Sequence, residues 1–191
     1  SLAFIGYDNK EIIACTDYEY SFDKYKKEFL KVEPKFSISF TPLLEGGLNT
    51  GLQIFYFSKK FPTVLKKTKY ILSYPQYIAW KLSKTYSTEI TYIGCHSYLW
   101  DFKKNKYSQL TKKLSVENKF PPMKKAWDVI GGFKLNNKKI NILNGVHDSN
   151  ASYLYFLKSN LKSFTLVSTG TWYITLNQQT NIKKLKPNYD M

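Results

Sequence analysis

An α/β fold is what the sequence predicts, on three observations. Stretches with the two-residue alternation of strands take turns with stretches at helical spacing along the whole chain. Turn-forming Asp, Asn, Gly and Pro fall between them. Apolar residues make up 43% of the 191 residues, spread along the chain, which is enough for a substantial core and argues against disorder. No internal repeat is evident.

Each element follows from local chemistry. Residues 1–15 read LAFIGY and then EIIAC around Asp8-Asn9-Lys10, a hairpin with its turn at those three residues. Residues 21–30 carry Phe22, Tyr25 and Phe29 at near-helical spacing and predict a short helix. Glu45-Gly46-Gly47 is a loop, and 48–57 has helical potential. Phe61-Pro62 opens the next segment, with Pro where a first helical turn tolerates it. Tyr74-Pro75 begins the strongest helix, PQYIAWKLSK, in which Tyr77, Ile78, Trp80 and Leu82 cover more than one face and predict deep burial.

The stretch TEITYIGCHSYLWDF alternates loosely and reads as a strand, followed by Asp101 and a Lys/Asn turn. A short helix is expected over 108–114, a break at Pro121-Pro122 and a turn at Gly131-Gly132. Residues 140–146 read as a short buried strand and 151–157 as a helix start. Two further strands are expected over 164–168 and 173–177, around Ser168-Thr169-Gly170-Thr171.

Composition narrows the function classes. The net charge of +15 raises nucleic acid, but all 29 basic residues are Lys, in scattered pairs, and none is Arg. Arg supplies the planar fork that grips phosphate and guanine, so a Lys-biased solvated surface is expected instead of a nucleic-acid reader. No apolar stretch approaches the roughly 20 residues of a membrane span, and the first twenty residues lack the basic-then-apolar order of a signal peptide. Cys15 and Cys95 are too few for a disulfide framework, which points to a reducing cytoplasm. Cys95 and His96 are adjacent and His147 is distant, so no recognised ligand spacing exists and no metal site is expected. As a nucleophile pair, Cys95-His96 would point to opposite faces of a strand.

Two places carry chemistry. Asp148, in NGVHDSNAS, sits where a predicted strand ends and a predicted helix starts, the edge at which open α/β sheets bind ligands. Its local pattern fits a helix N-cap as well as a base that deprotonates a hydroxyl. Ser168-Thr169-Gly170-Thr171 fits a tight hairpin turn, and equally a turn presenting N–H groups and hydroxyls to a phosphate. Taken together, a base and a phosphate cradle suggest phosphoryl transfer.

The ordered segments GGLNTGLQIFYF, YPQYIAWKLS, TEITYIGCHSYLWD, GVHDSNAS and VSTGTWYITL resemble the FGGY family of carbohydrate kinases, in the branch of rhamnulokinase- and fuculokinase-like enzymes. The resemblance covers nearly the whole chain. It implies an actin-like (ribonuclease-H-like) fold of two domains with ATP, Mg²⁺ and a monosaccharide in the cleft between them, and it admits a homodimer. Residues 1–160 would be the later part of the sugar-binding domain and 161–191 the start of the nucleotide-binding domain.

Carried over by the motifs, Asp148 matches the family's catalytic base, with Ser149 and Asn150 after it at sugar-contacting positions. Gly170 and Thr171 match the turn at the ATP phosphates. Asp17 falls loosely where a polar residue lies near the sugar, and Asn49 opens a further signature segment; there, however, Gln53 stands where Lys is usual and Tyr56 where Trp is usual. The family's Asp-x-Gly phosphate and magnesium motif has no counterpart here, so by resemblance the chain is an internal piece, inactive alone. A non-catalytic sugar- or protein-binding remnant is the alternative, and a basic nucleic-acid module a more distant one.

Overall fold

The computed structural model describes residues 1–170 and 172–187. It opens on the expected hairpin: β1 (Leu2–Gly6) pairs antiparallel with β2 (Glu11–Ile13). Asn9 takes the left-handed conformation at the turn, which Asn tolerates better than most residues. The helix α1 (Asp23–Phe29) falls inside the predicted 21–30. A one-turn α2 (Phe36–Ser39) and the predicted Gly46-Gly47 loop lead to α3 (Thr50–Lys60), and α4 (Pro62–Lys67) starts on its proline.

Next, β3 (Thr68–Ser73) joins β1 on the side away from β2, giving an antiparallel sheet in the order β2-β1-β3. The central strand β1 is buried on both faces, so its sequence is almost continuously apolar. Leu2 and Phe4 point into the larger core with Leu52, Ile54, Phe57 and Ile71, while Ala3 and Ile5 point the other way, against Leu72 and Trp80. Each fully buried large side chain of this strand stabilises the fold by about 2 kcal/mol.

The helix α5 (Tyr74–Ser83) covers the second face, packing on β1 and β3. Its predicted deep burial over more than one face holds in part: Gln76, Ala79 and Trp80 are buried, but Ile78 is 43% exposed and Leu82 50% exposed. Trp80 packs on the sheet and Ala79 meets Ile130 and Ile142 of a later hairpin, which leaves the stripe carrying Ile78 and Leu82 outside. The segment read as a strand, TEITYIGCHSYLWDF, instead forms a single helical turn α6 (Ile90–Ile93), an irregular loop over 94–98 and only a two-residue strand β4 (Trp100–Asp101). Glu89 decides this start, because its carboxylate accepts the N–H of Thr91 at 2.8 Å and caps the turn.

After β4, β5 (Lys106–Tyr107) and α7 (Gln109–Lys113, capped by Ser108) complete the larger core. The long hairpin β6 (Val129–Leu135) and β7 (Lys138–Leu143) follows. Gly131 and Gly132, expected at a turn, lie inside β6; the turn is Asn136-Asn137, both residues left-handed as a two-residue hairpin requires. The glycines serve close approach: a Cβ on Gly131 would stand 2.8 Å from Ser83 of α5, and one on Gly132 2.7 Å from the Ile140 carbonyl. Of β7 only Ile142 is buried, so the predicted buried strand is mostly open on both faces.

The helix α8 (Asp148–Leu157) begins three residues before the predicted 151. The strands β8 (Leu166–Thr169) and β9 (Tyr173–Leu176) pair as expected, and this hairpin is tied to α8 where Tyr153 and Phe156 meet Phe164. Every ladder is antiparallel; the isolated bridge Thr88–Met123 is the one parallel pairing among the described residues. The α/β class holds, but Asp148 therefore follows an antiparallel hairpin and not a strand of a parallel sheet. Among the described residues no helix is long and apolar enough to cross a membrane.

Candidate active site

The stretch NGVHDS is positioned from its first residue. Asn144 is fully buried and acts as a polar hub. Its Nδ2 donates to the carbonyls of Thr88 at 3.2 Å and Lys124 at 3.0 Å, and its Oδ1 accepts from Ser87 Oγ at 2.6 Å. Its backbone N–H donates to Asp128 O and its carbonyl accepts from Gln76 Nε2, both at 3.0 Å. Gly145 then turns the chain at φ +86°, which a side chain would strain. His147 is the residue before the helix, and its N–H donates to Thr91 Oγ1 at 3.0 Å.

Asp148 is thus the first residue inside α8 and not its cap. A carboxylate there sits favourably in the positive end of the helix dipole. Its Oδ1 accepts the N–H of Ser149 at 2.7 Å, and the side chain is 94% exposed. An exposed carboxylate on a pinned backbone can reach a hydroxyl brought to it. Ser149 and Asn150 follow on the same helical turn, both half-buried.

Behind Asp148 lies a wall that the sequence did not announce. The ring of His147 is 5.7 Å, centre to centre, from those of Tyr92 and His96. His96 Nδ1 lies 2.8 Å from the Leu48 carbonyl, which can only accept, so the proton is on Nδ1 and Nε2 carries the lone pair. His147 Nδ1 is 3.2 Å from Asp148 Oδ1 but not aligned for a hydrogen bond, and it is buried without a partner. Burial, and secondarily His147, holds His96 down to about pKa 4. Burial also lowers His147, partly opposed by the Asp148 carboxylate. The Cys95 thiol is pushed up to about 12, again chiefly by burial. This wall is neutral at pH 7.

The loop over 94–98 also departs from expectation. Cys95 and His96 are not strand neighbours with opposed side chains, because His96 has φ 35° and Tyr98 φ 63°. That twist turns Cys95 and His96 together towards His147, and donor atoms of all three lie within 4.8 Å of one another. The loop can sit this deep because Gly51 has no side chain. Gly51 N donates to Ser97 O at 2.9 Å, and a Cβ there would come within 2.3 Å of that oxygen.

Asn49 bears on the same loop. It is fully buried; its Nδ2 donates to Pro42 O at 3.1 Å and His96 O at 2.8 Å, and its Oδ1 accepts from Leu44 N at 2.7 Å. With its amide spent on backbone, its route to a ligand runs through the His96 loop and not through direct contact. Gln53, standing in the usual Lys position, is equally enclosed: Thr16 Oγ1 donates to its Oε1 at 2.6 Å, and its Nε2 donates to Gly47 O. Asp17, next to Thr16, is exposed and its Oδ1 accepts from Glu19 N at 2.8 Å.

At the second predicted place, Gly170 closes the β8–β9 hairpin and Thr171 lies outside the described residues. Nothing stands within 4 Å of where a Cβ of Gly170 would be, so a ligand has open approach. Its N–H is already directed at Trp172 O, at a long 3.3 Å. The described half of the turn is thus open to approach, while its one N–H is already directed at the backbone. For Mg²⁺, which takes oxygen ligands, the described residues group no three carboxylates: the one cluster of three or more His, Cys, Asp or Glu among them is Cys95, His96 and His147.

No protein-family model matches the chain, and no curated protein does. Solved structures do. A carbohydrate kinase from Novosphingobium aromaticivorans superposes with a TM-score of 0.81 at 28% identity, over 92% of this chain and 40% of that one. A gluconate kinase from Lactobacillus acidophilus matches at a TM-score of 0.61 and 16% identity, over 80% of this chain and 33% of that one. A Plasmodium falciparum glycerol kinase solved with ADP matches at 0.61 and 15%, over the same shares. At those last identities the likeness is one of fold alone. The chain spans two fifths or less of the kinases it matches, and over that span it has the mixed α/β fold of the actin-like sugar kinases.

Proposed function

We propose that this chain is part of an ATP-dependent sugar kinase of the FGGY type, in which Asp148 is the base for the acceptor hydroxyl. The observation that carries the reading is the match to a carbohydrate kinase over 92% of the chain. The exposed Asp148 carboxylate on a backbone fixed by Asn144, Gly145 and Thr91 supports it. Residues 1–160 belong to the sugar side and 161–191 begin the nucleotide side. The nearest support for that division is the β8–β9 hairpin, paired only with itself.

The acceptor is a monosaccharide, of the ketose or deoxy-sugar class. Its reacting hydroxyl lies at Asp148, with Ser149, Asn150 and Asp17 as polar contacts and Asn49 holding the His96 loop in place. Asp148 accepts the hydroxyl proton as the oxygen attacks, and the neutral His147–Tyr92 wall excludes water on one side. Bound ATP supplies the transferable phosphoryl group. Gly170, with open space around it, gives that group room to approach, and Thr171 is assigned beside it by its place in the motif. No step is assigned to Mg²⁺. A cytoplasmic setting suits two free cysteines, one of them exposed.

The test is a coupled ADP-release assay across ketoses and aldoses on the longest reading frame that contains this chain. Asp148→Asn should lower turnover with the preferred sugar by about 10³-fold or more while the fold is kept. Undiminished turnover would sink the assignment.

A further inference from the structure

We propose that Cys95, His96 and His147 form a three-ligand site for zinc, with the fourth position open beside Asp148. The three residues come from two distant parts of the chain, 95–96 and 147, and each offers one donor atom. With those atoms no more than 4.8 Å apart, some point lies within about 2.8 Å of all three, against zinc bonds of about 2.0–2.3 Å. Closing that gap takes side-chain shifts below an ångström, not a rearrangement of the loop.

The site is prepared in ways that packing alone does not ask for. His96 donates Nδ1–H to the Leu48 carbonyl at 2.8 Å. That is the outer bond that orients a metal-bound imidazole and leaves Nε2 as the ligand. The carbonyl of His96 is itself gripped by Asn49 Nδ2. His147 has a buried Nδ1 without a hydrogen-bond partner, and of the five such side-chain atoms among the described residues it is the one nitrogen. Its backbone is fixed through Thr91. The left-handed His96 brings adjacent Cys and His to one side, at a backbone cost that the fold sustains.

One sulfur and two imidazole nitrogens select a borderline-soft divalent ion over Mg²⁺ or Ca²⁺, which prefer oxygen. On binding, Cys95 Sγ gives up its proton to solvent and the thiolate forms the bond, so each zinc bound releases one proton from the thiol. Asp148 Oδ1, 3.2 Å from His147 Nδ1, or a water takes the fourth position. This inference does not depend on the kinase reading, but the two sites share a wall, so zinc and an acceptor hydroxyl would compete for the same space.

The experiment is titration of the full chain, reduced and freed of metal by a chelator, with Zn²⁺ and with Co²⁺ as a spectroscopic stand-in. The expected result is one ion per chain, one proton released per zinc, and a thiolate-to-cobalt charge-transfer band with the strong visible bands of a four-coordinate site. Cys95→Ser should abolish the band and weaken zinc at least about 100-fold; His147→Gln should weaken it at least about 10-fold; Cys15→Ser should change neither. Each variant is checked for a retained fold by circular dichroism, and the wild-type titration stands even where a variant fails to fold. Absence of saturable binding by the wild type overturns the proposal. So does a band that survives Cys95→Ser or disappears with Cys15→Ser.

Discussion

Replacing Asn144 by Ala removes the hub that holds the end of β7 against the start of α6, and the structure lets the cost be worked out. The backbone bonds of residue 144, to Asp128 O and from Gln76 Nε2, survive the substitution. Three side-chain bonds do not. The Thr88 carbonyl keeps the Lys124 N–H at 2.9 Å, so its loss is small. The Ser87 hydroxyl is wholly buried and is stranded, at about 1–2 kcal/mol, and the Lys124 carbonyl adds about 0.5–1. With the lost packing of the amide, the sum is about 3 kcal/mol. Urea unfolding should show this as a lower midpoint at unchanged slope. In a double-mutant cycle with Ser87→Ala the two changes should be coupled by about 1 kcal/mol, since Ser87→Ala removes the stranded group. A loss below about 1 kcal/mol, or additive single mutants, would show that Asn144 is not the hub described.

Three further outcomes follow. Gly51→Ala should destabilise the chain by about 2 kcal/mol, because the clash with Ser97 O at 2.3 Å outweighs a helix-propensity gain of about 1 kcal/mol; Gly170→Ala, with open space around it, should stay within about 0.5 kcal/mol in the same urea assay. His96 should make metal-free protein sensitive to acid. Its pKa falls from 6.5 in the unfolded chain to about 4 in the fold, so the unfolded state binds the extra proton between those values. Its contribution is complete above pH 6.5 and is lost as pH falls towards 4, by at most about 3 kcal/mol. Urea midpoints compared at pH 7 and pH 4.5 should therefore converge in His96→Gln, and an equal pH slope in both proteins would refute it.

The sequence by itself determined the elements whose cause is local. The first hairpin, the proline-led α4 and α5, and the β8–β9 pair lie where alternation, Pro and Asn placed them. It also singled out Asp148, and the ordered motifs pointed to the kinase fold that the structural matches share. Tertiary structure decided what depends on residues far apart. Whether TEITYIGCHSYLWDF ran as a strand could not be settled by its β-branched and aromatic residues. The Glu89 cap, the contact of Gly51 with Ser97 and the left-handed His96 broke it into a turn and a loop. Burial of α5 depended on what covers it: the sheet on the Trp80 side and the β6–β7 hairpin on the Ala79 side, which together leave Ile78 and Leu82 exposed. The grouping of Cys95, His96 and His147 beside Asp148 is beyond any spacing rule. It arises because α8 starts one residue after His147, and the N–H of that histidine reaches back over some fifty residues to Thr91.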